Sequence, residues 1–164
     1  MTAEVRPLSN DLWGFESSCF VCEPRNGAGL RIPFSHVVDD ERVTATFTLD
    51  ERFSGAPAYV HGGVLLAVLV EAMAWATIAI AEKFAVTRET TSRFEWPVKL
   101  HREHRVHAWI DQVDATSVAT KARITRPDGK VCVEAQATFA VLGMEQAAEA
   151  AGAAIGEDLQ AFVR

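Results

Sequence analysis

From Val64 to Ala81 the chain is apolar except for Glu71, and the run opens on His61-Gly62-Gly63. A helix here is greasy on every side and has to be buried nearly all round. This requirement constrains the fold more than any other feature, because a single layer packed on one side cannot meet it. The same segment leaves free backbone N–H groups beside a histidine at its start and holds one carboxylate in apolar surroundings two turns on. The run approaches bilayer-spanning length. A carboxylate at its middle is costly in lipid, many of the residues are alanine, and alternating strand patterns flank it on both sides. A buried core helix is therefore expected, with no membrane span.

The flanking sequence supplies the wrapping. Period-two alternation and turn residues predict strands over Leu30–Val38 and Arg42–Leu49 before the helix. After it they predict Val86–Trp96, His104–Val113, Val118–Thr125 and Val131–Val141. The helix is expected to end near Lys83 or Phe84. Arg126-Pro127-Asp128-Gly129-Lys130 reads as a hairpin turn, because proline presets φ and glycine accepts φ > 0. From Met144 the composition turns to Ala, Glu and Gln and predicts a tail helix with a break near Gly152 or Gly156. The order is two strands, one long helix, four strands and a tail helix: an α+β fold with a largely antiparallel sheet on the helix and a second subunit covering what the sheet leaves.

At 164 residues the chain can fill one core. We divide it into a lead-in, residues 1–28, a body, 29–143, and a helical tail, 144–164. Trp13, Phe15 and Phe20 are expected to pack the lead-in onto the body. The net charge of −6 offers no footprint for DNA or RNA. The N-terminus shows no basic start followed by an apolar run, and three cysteines, Cys19, Cys22 and Cys132, fit reduced thiols. A cytoplasmic location is expected. Cys19-x-x-Cys22 looks like half of a zinc ribbon, but no second pair follows to complete four ligands within one chain. The thiols are read as small hydrophobes, with no metal and no cofactor expected.

Tyr59-Val60-His61-Gly62-Gly63-Val64-Leu65-Leu66-Ala67, Glu71-Ala72-Met73-Ala74-Trp75-Ala76, and Ala85-Val86-Thr87 leading to Arg93-Phe94 and Pro97-Val98 together resemble the hotdog-fold acyl-CoA thioesterases. The similarity is greatest to the branch related to phenylacetate-pathway thioesterases. The lead-in Cys19-Phe20-Val21-Cys22 through Asn26, Gly29 and Leu30 resembles the same branch. The resemblance implies a sheet wrapped around the central helix, edge-to-edge homodimers or homotetramers, and acyl-CoA sites at the dimer interface. It also implies hydrolysis of a thioester substrate in which the Gly62 N–H polarises the carbonyl. Independently of the family, an N–H at a helix N-terminus stabilises charge developing on a carbonyl oxygen.

The family's catalytic acid stands nine residues after the motif histidine, and here that residue is Val70. Glu71 follows it, where the branch often has a second acid. One residue is ~100° of helix rotation, so Glu71 cannot simply inherit the geometry of the missing acid. Two readings of Glu71 stand. In one, burial raises its pKa and it activates water or attacks the thioester. In the other, it accepts hydrogen bonds from backbone, His61, Thr or Trp groups and organises the helix or dimer.

His61 is read as a proton carrier or as a donor fixing the loop. Gly63, Thr87 and Val70 are taken as substrate-binding positions. Gly55 stands where the family sometimes carries a water-holding Asn. His101, His104 and His107 are read as solvated, since neighbouring strand positions face opposite ways and no third ligand is fixed. Arg102, Arg105, Arg126 and Lys130 are read as a solvated basic face. The leading expectation is an acyl-CoA thioesterase. The alternative is a non-catalytic thioester-binding protein that lost the acid at position 70. A hydratase on the same fold lacks its usual Asp-and-His pairing.

Overall fold

The computed structural model describes residues 3–14 and 16–163. Phe15 lies outside the described residues, and so does the Trp13 side chain. The elements are β1 Val5–Pro7, β2 Ser35–Val37, β3 Arg42–Phe47, α1 Gly62–Ala79, β4 Ala85–Phe94, β5 His104–Val113, β6 Ser117–Thr125, β7 Val131–Val141 and α2 Met144–Ala151. All strands join one antiparallel sheet in the order β1-β2-β3-β5-β6-β7-β4.

The sheet curls around α1, which packs against β3, β4, β5, β6 and β7. Alternation decides what faces the helix: Val43, Ala45 and Phe47 from β3, Val106 and Ala108 from β5, Val118, Ala122 and Ile124 from β6, and Val133, Ala135, Ala137, Phe139 and Val141 from β7 are all buried. On α1 the buried set is Leu65, Val68, Leu69, Ala72, Met73, Trp75, Ala76 and Thr77. At 100° per residue these occupy one broad arc. The remaining arc carries Gly63, Ala67, Val70, Glu71, Ala74 and Ile78, exposed or half-buried. Val70 and Glu71 fall at opposite edges of that outward arc.

Several expectations change. The lead-in carries a strand that the sequence pattern does not predict: Val5–Pro7 pairs with Ser35–Val37 and extends the sheet. β2 is shorter than Leu30–Val38, because the Leu30 and Ile32 N–H groups donate to the carbonyls of Phe20 and Val21 instead of to a strand partner. The lead-in is anchored by buried Val21, whereas Phe20 is 46% exposed at the tip of its turn. α1 stops at Ala79 rather than near Lys83, since Glu82 adopts φ 51° and the Lys83 N–H folds back onto the Thr77 carbonyl. The tail helix ends at Gly152 in the left-handed region, φ 68°. The 3-10 turn Glu157–Phe162 then packs Leu159 against Phe84 and Leu142.

Candidate functional site

Two places collect the residues of interest. The first is the start of α1. His61 caps the helix, its Nδ1 accepting from the Gly63 N–H at 2.9 Å, so the neutral ring carries its proton on Nε2. The Gly63 N–H is thereby used, while the Gly62 N–H, first of the helix, finds no acceptor among the described residues. Beside it lies a cavity of about 490 Å³ lined by Gly55, Tyr59, His61, Gly62, Leu65, Phe94, Trp96 and Pro97, among others. Tyr59, Phe94 and Trp96 are large exposed aromatics and form its rim. A Cβ on Gly62 would stand 3.6 Å from the Phe94 ring.

Trp96 and Pro97 also line a second cavity of about 740 Å³ with Lys99, Arg102, His104 and Arg126. Two of the arginines read as a plain solvated face therefore border a hollow that shares Trp96 and Pro97 with the Gly62 cavity. Lys130 is not free either: its Nζ lies 3.4 Å above the Trp96 ring. Arg105 reaches Thr46 Oγ1.

The second place lies on the outward arc of α1, where the lead-in crosses it. Glu71 Oε1 accepts from the Cys19 thiol at 3.2 Å, and Cys19, Cys22 and Glu71 present ligand-type atoms all within 4.8 Å of one another. Burial first, and the neighbouring Cys19 second, push the Glu71 carboxyl up to about 7. The Cys22 hydrogen bond and the N–H groups of Val21 and Cys22, each 3.4 Å from the sulfur, pull the Cys19 thiol down to about 5. Cys22, the donor of that pair and half-buried, is pushed up, first by that bond and then by burial. Asn10 Nδ2 donates to Cys22 Sγ at 3.6 Å. The Trp75 indole N–H, one turn from Glu71, is buried without a hydrogen-bond partner.

The expected site is thus divided. His61 and Gly62 share a cavity; Gly63, Val70, Glu71 and Thr87 do not line it. Thr87 is exposed on β4, at a bulge in its pairing with β7. Gly55 does line the cavity, and its N–H donates to the Tyr59 carbonyl. The cysteines are not merely apolar filler, because their sulfurs exchange hydrogen bonds with a carboxylate and an amide. The Glu71 partner is a thiol rather than any of the groups expected. The sequence contained both halves of this cluster, but 52 residues separate Cys19 from Glu71, and no local spacing joins them.

The histidines also need correction. His104 is 3% exposed, with Nδ1 3.0 Å from the Arg102 carbonyl and its ring stacked on Phe47. His107 is half-buried beside Thr44 Oγ1. Of His101, His104 and His107, only His101 is exposed, and it pairs with Glu51.

With the geometry in place, the sequence model of the thioesterase superfamily matches residues 58–133, from the turn before the cap into β7. That stretch, just under half of the chain, is similar to the thioesterase superfamily. The seven-stranded antiparallel sheet around one helix is the hotdog fold. A crystallised thioesterase superfamily protein is 27% identical with a TM-score of 0.71, over 79% of this chain and 64% of that one. This chain thus spans just under two thirds of that relative. A putative thioesterase from Ralstonia eutropha JMP134, described as phenylacetic acid degradation-related, is 20% identical over 68% of this chain and 86% of its own, TM-score 0.61. A hypothetical thioesterase from Streptococcus pneumoniae TIGR4, crystallised with coenzyme A, is 18% identical over 61% of this chain and 80% of its own, TM-score 0.58. No curated protein matches the sequence significantly.

Proposed function

We propose that the protein is an acyl-CoA thioesterase in which the Gly62 N–H polarises the thioester carbonyl. The observation that carries this is the unpartnered N–H at the start of α1, opening onto an aromatic-rimmed cavity of about 490 Å³. A donor there, backed by the helix dipole, stabilises the oxyanion of a tetrahedral intermediate. The adjoining hollow, where Lys99, Arg102 and the Asp128-paired Arg126 outnumber the one lining carboxylate, Glu103, suits the phosphates of coenzyme A, the ligand held by the pneumococcal relative. Its three free cysteines fit work in the reducing cytoplasm.

Glu71 is the acid–base group of this proposal and the one carboxylate on α1. Nine residues of helix put it ~13.5 Å along the axis from Gly62, too far to serve a thioester bound at that glycine. A second copy therefore has to supply it. β4 is one of the two edges of the sheet, and its Phe94 flanks Gly62, so pairing there brings another chain to the cavity mouth. The hydrolysis rate of Glu71→Ala over short, long and aromatic acyl-CoAs is expected to fall by at least ~100-fold, the range for a lost general base. An unchanged rate removes Glu71 from the reaction.

A second reading, a thioester-binding protein without turnover, is favoured by Val70 and by the engagement of Glu71 with Cys19. It expects acyl-CoAs to bind in calorimetry and survive incubation, and Val70→Asp to gain hydrolysis. Rapid turnover by the native protein eliminates it.

A further inference from the structure

We propose that Cys19, Cys22 and Glu71 form a binding site for a thiophilic divalent cation, zinc by preference, that clips the lead-in to α1. Ligand atoms on a tetrahedral zinc stand about 3.3–3.8 Å apart, given bond lengths of about 2.0–2.3 Å. The three groups already lie within 4.8 Å of one another, with Cys19 and Glu71 at 3.2 Å. A shared ion between them needs only small side-chain rotations.

What surrounds Cys19 favours anionic sulfur, and both sulfurs already accept N–H groups. Cys19 Sγ receives the N–H groups of Val21 and Cys22, and Cys22 Sγ receives Asn10 Nδ2. Such N–H···S bonds are the outer shell that orients and tunes thiolate ligands. The Trp75 indole N–H, buried and without a partner, is a spare donor for the second carboxylate oxygen or for a water on the ion. The turn bearing the thiols is held from outside the cluster. The Leu30 and Ile32 N–H groups bond the carbonyls of Phe20 and Val21 at 2.8 Å each, and a Cβ on Gly29 would meet the Phe20 carbonyl oxygen at 2.5 Å. Backbone packing thus fixes the Cys-x-x-Cys turn opposite α1 without the ion.

The ligands change protonation on binding. Each thiol releases its proton to solvent and the carboxyl binds ionised, so a dication with two thiolates and one carboxylate carries net charge −1, with the fourth position open to water. Two thiolates select zinc or cobalt over magnesium or calcium. An ion on Glu71 withdraws that carboxylate from proton transfer. Glu71 cannot serve both roles at once, and the two readings fail separately, because metal binding is measured on resting protein with no thioester present.

The test is titration of the full-length protein, reduced with a non-chelating phosphine, by Co²⁺ and by Zn²⁺. One Co²⁺ per chain is expected, with thiolate-to-cobalt charge-transfer absorption that Zn²⁺ displaces. Cys19→Ser and Cys22→Ser should lose that band. Glu71→Gln should weaken affinity by at least the ~10-fold that outer-shell losses cost, while Cys132→Ser, distant on β7, changes nothing. Circular dichroism checks that each variant is folded. Reduced wild-type protein that takes up Co²⁺ without a charge-transfer band, or takes up none, overturns the proposal whatever the variants do.

Discussion

At the scale of single residues, Gly62 combines two properties that can be separated by substitution. Its side chain is absent where Phe94 approaches, and its N–H is free at the first position of a helix. Proline is tolerated at that position, where the lost N–H would have no intrahelical partner, and His61 already holds φ −61°, ψ 133°, the extended conformation that a residue before proline requires. Gly62→Pro is therefore expected to leave folding and melting temperature nearly unchanged while lowering kcat for thioester hydrolysis by ~10²–10³, the loss typical of one oxyanion donor. Unchanged kcat in a folded variant would show that the amide does not act on the carbonyl. Few substitutions remove a backbone donor so cleanly.

At the scale of elements, the cap of α1 shows what His61 contributes. Its Nδ1 satisfies the Gly63 N–H, and loss of a capping side chain typically costs ~1 kcal/mol. His61→Ala should lower the melting temperature. His61→Asn, whose side-chain oxygen can cap in the same place, should recover it. If the Asn variant also hydrolyses at the wild-type rate, proton transfer by the imidazole is excluded; if it melts like wild type but turns over slowly, the ring has a chemical part. The long elements were legible because their signals are periodic: β5, β7 and the span of α1 follow from apolar alternation and from one unbroken apolar run. β1 was not, since a three-residue strand ending in Pro7 carries no alternation and exists only because β2 offers it an edge. The strand expected from Leu30 was cut short for the same kind of reason, its N–H groups being claimed by the Phe20–Val21 carbonyls far from its own period. The site divides likewise. Gly62 and His61 were readable as neighbours in sequence, whereas the Cys19–Glu71 contact depends on the lead-in crossing the outward arc of α1.

At the scale of the whole molecule, folding buries histidines that the unfolded chain leaves in water, and this sets the acid limit of stability. His107 on β5 is held down to about 4, first by burial and then by the guanidinium groups of Arg42 on β3, Arg105 on its own strand and Arg123 on β6. His104 and His36 are lowered too, each chiefly by burial. An unfolded histidine titrates near 6.5. Between that value and about 4 the unfolded chain takes up a proton at position 107 that the folded chain refuses, so stability falls as pH falls through this window. Above it the group is neutral in both states and contributes no slope. Asp50, Asp114 and Asp128 are held below the ordinary carboxylate range by their partners Arg52, Ser117 and Arg126, and the stability they add is lost only at more acid pH. His107 therefore gives the melting temperature a downward slope below about pH 6.5, before any of these aspartates protonates; Glu71, its carboxyl pushed up to about 7, works against that slope, because the folded chain takes up a proton there that the unfolded chain does not. His107→Gln, which can still meet Thr44 Oγ1, should flatten the drop between about pH 6.5 and 4.5 without altering the steeper loss below. Identical melting curves for the variant and wild type across that window would assign the loss to His36 and His104 instead.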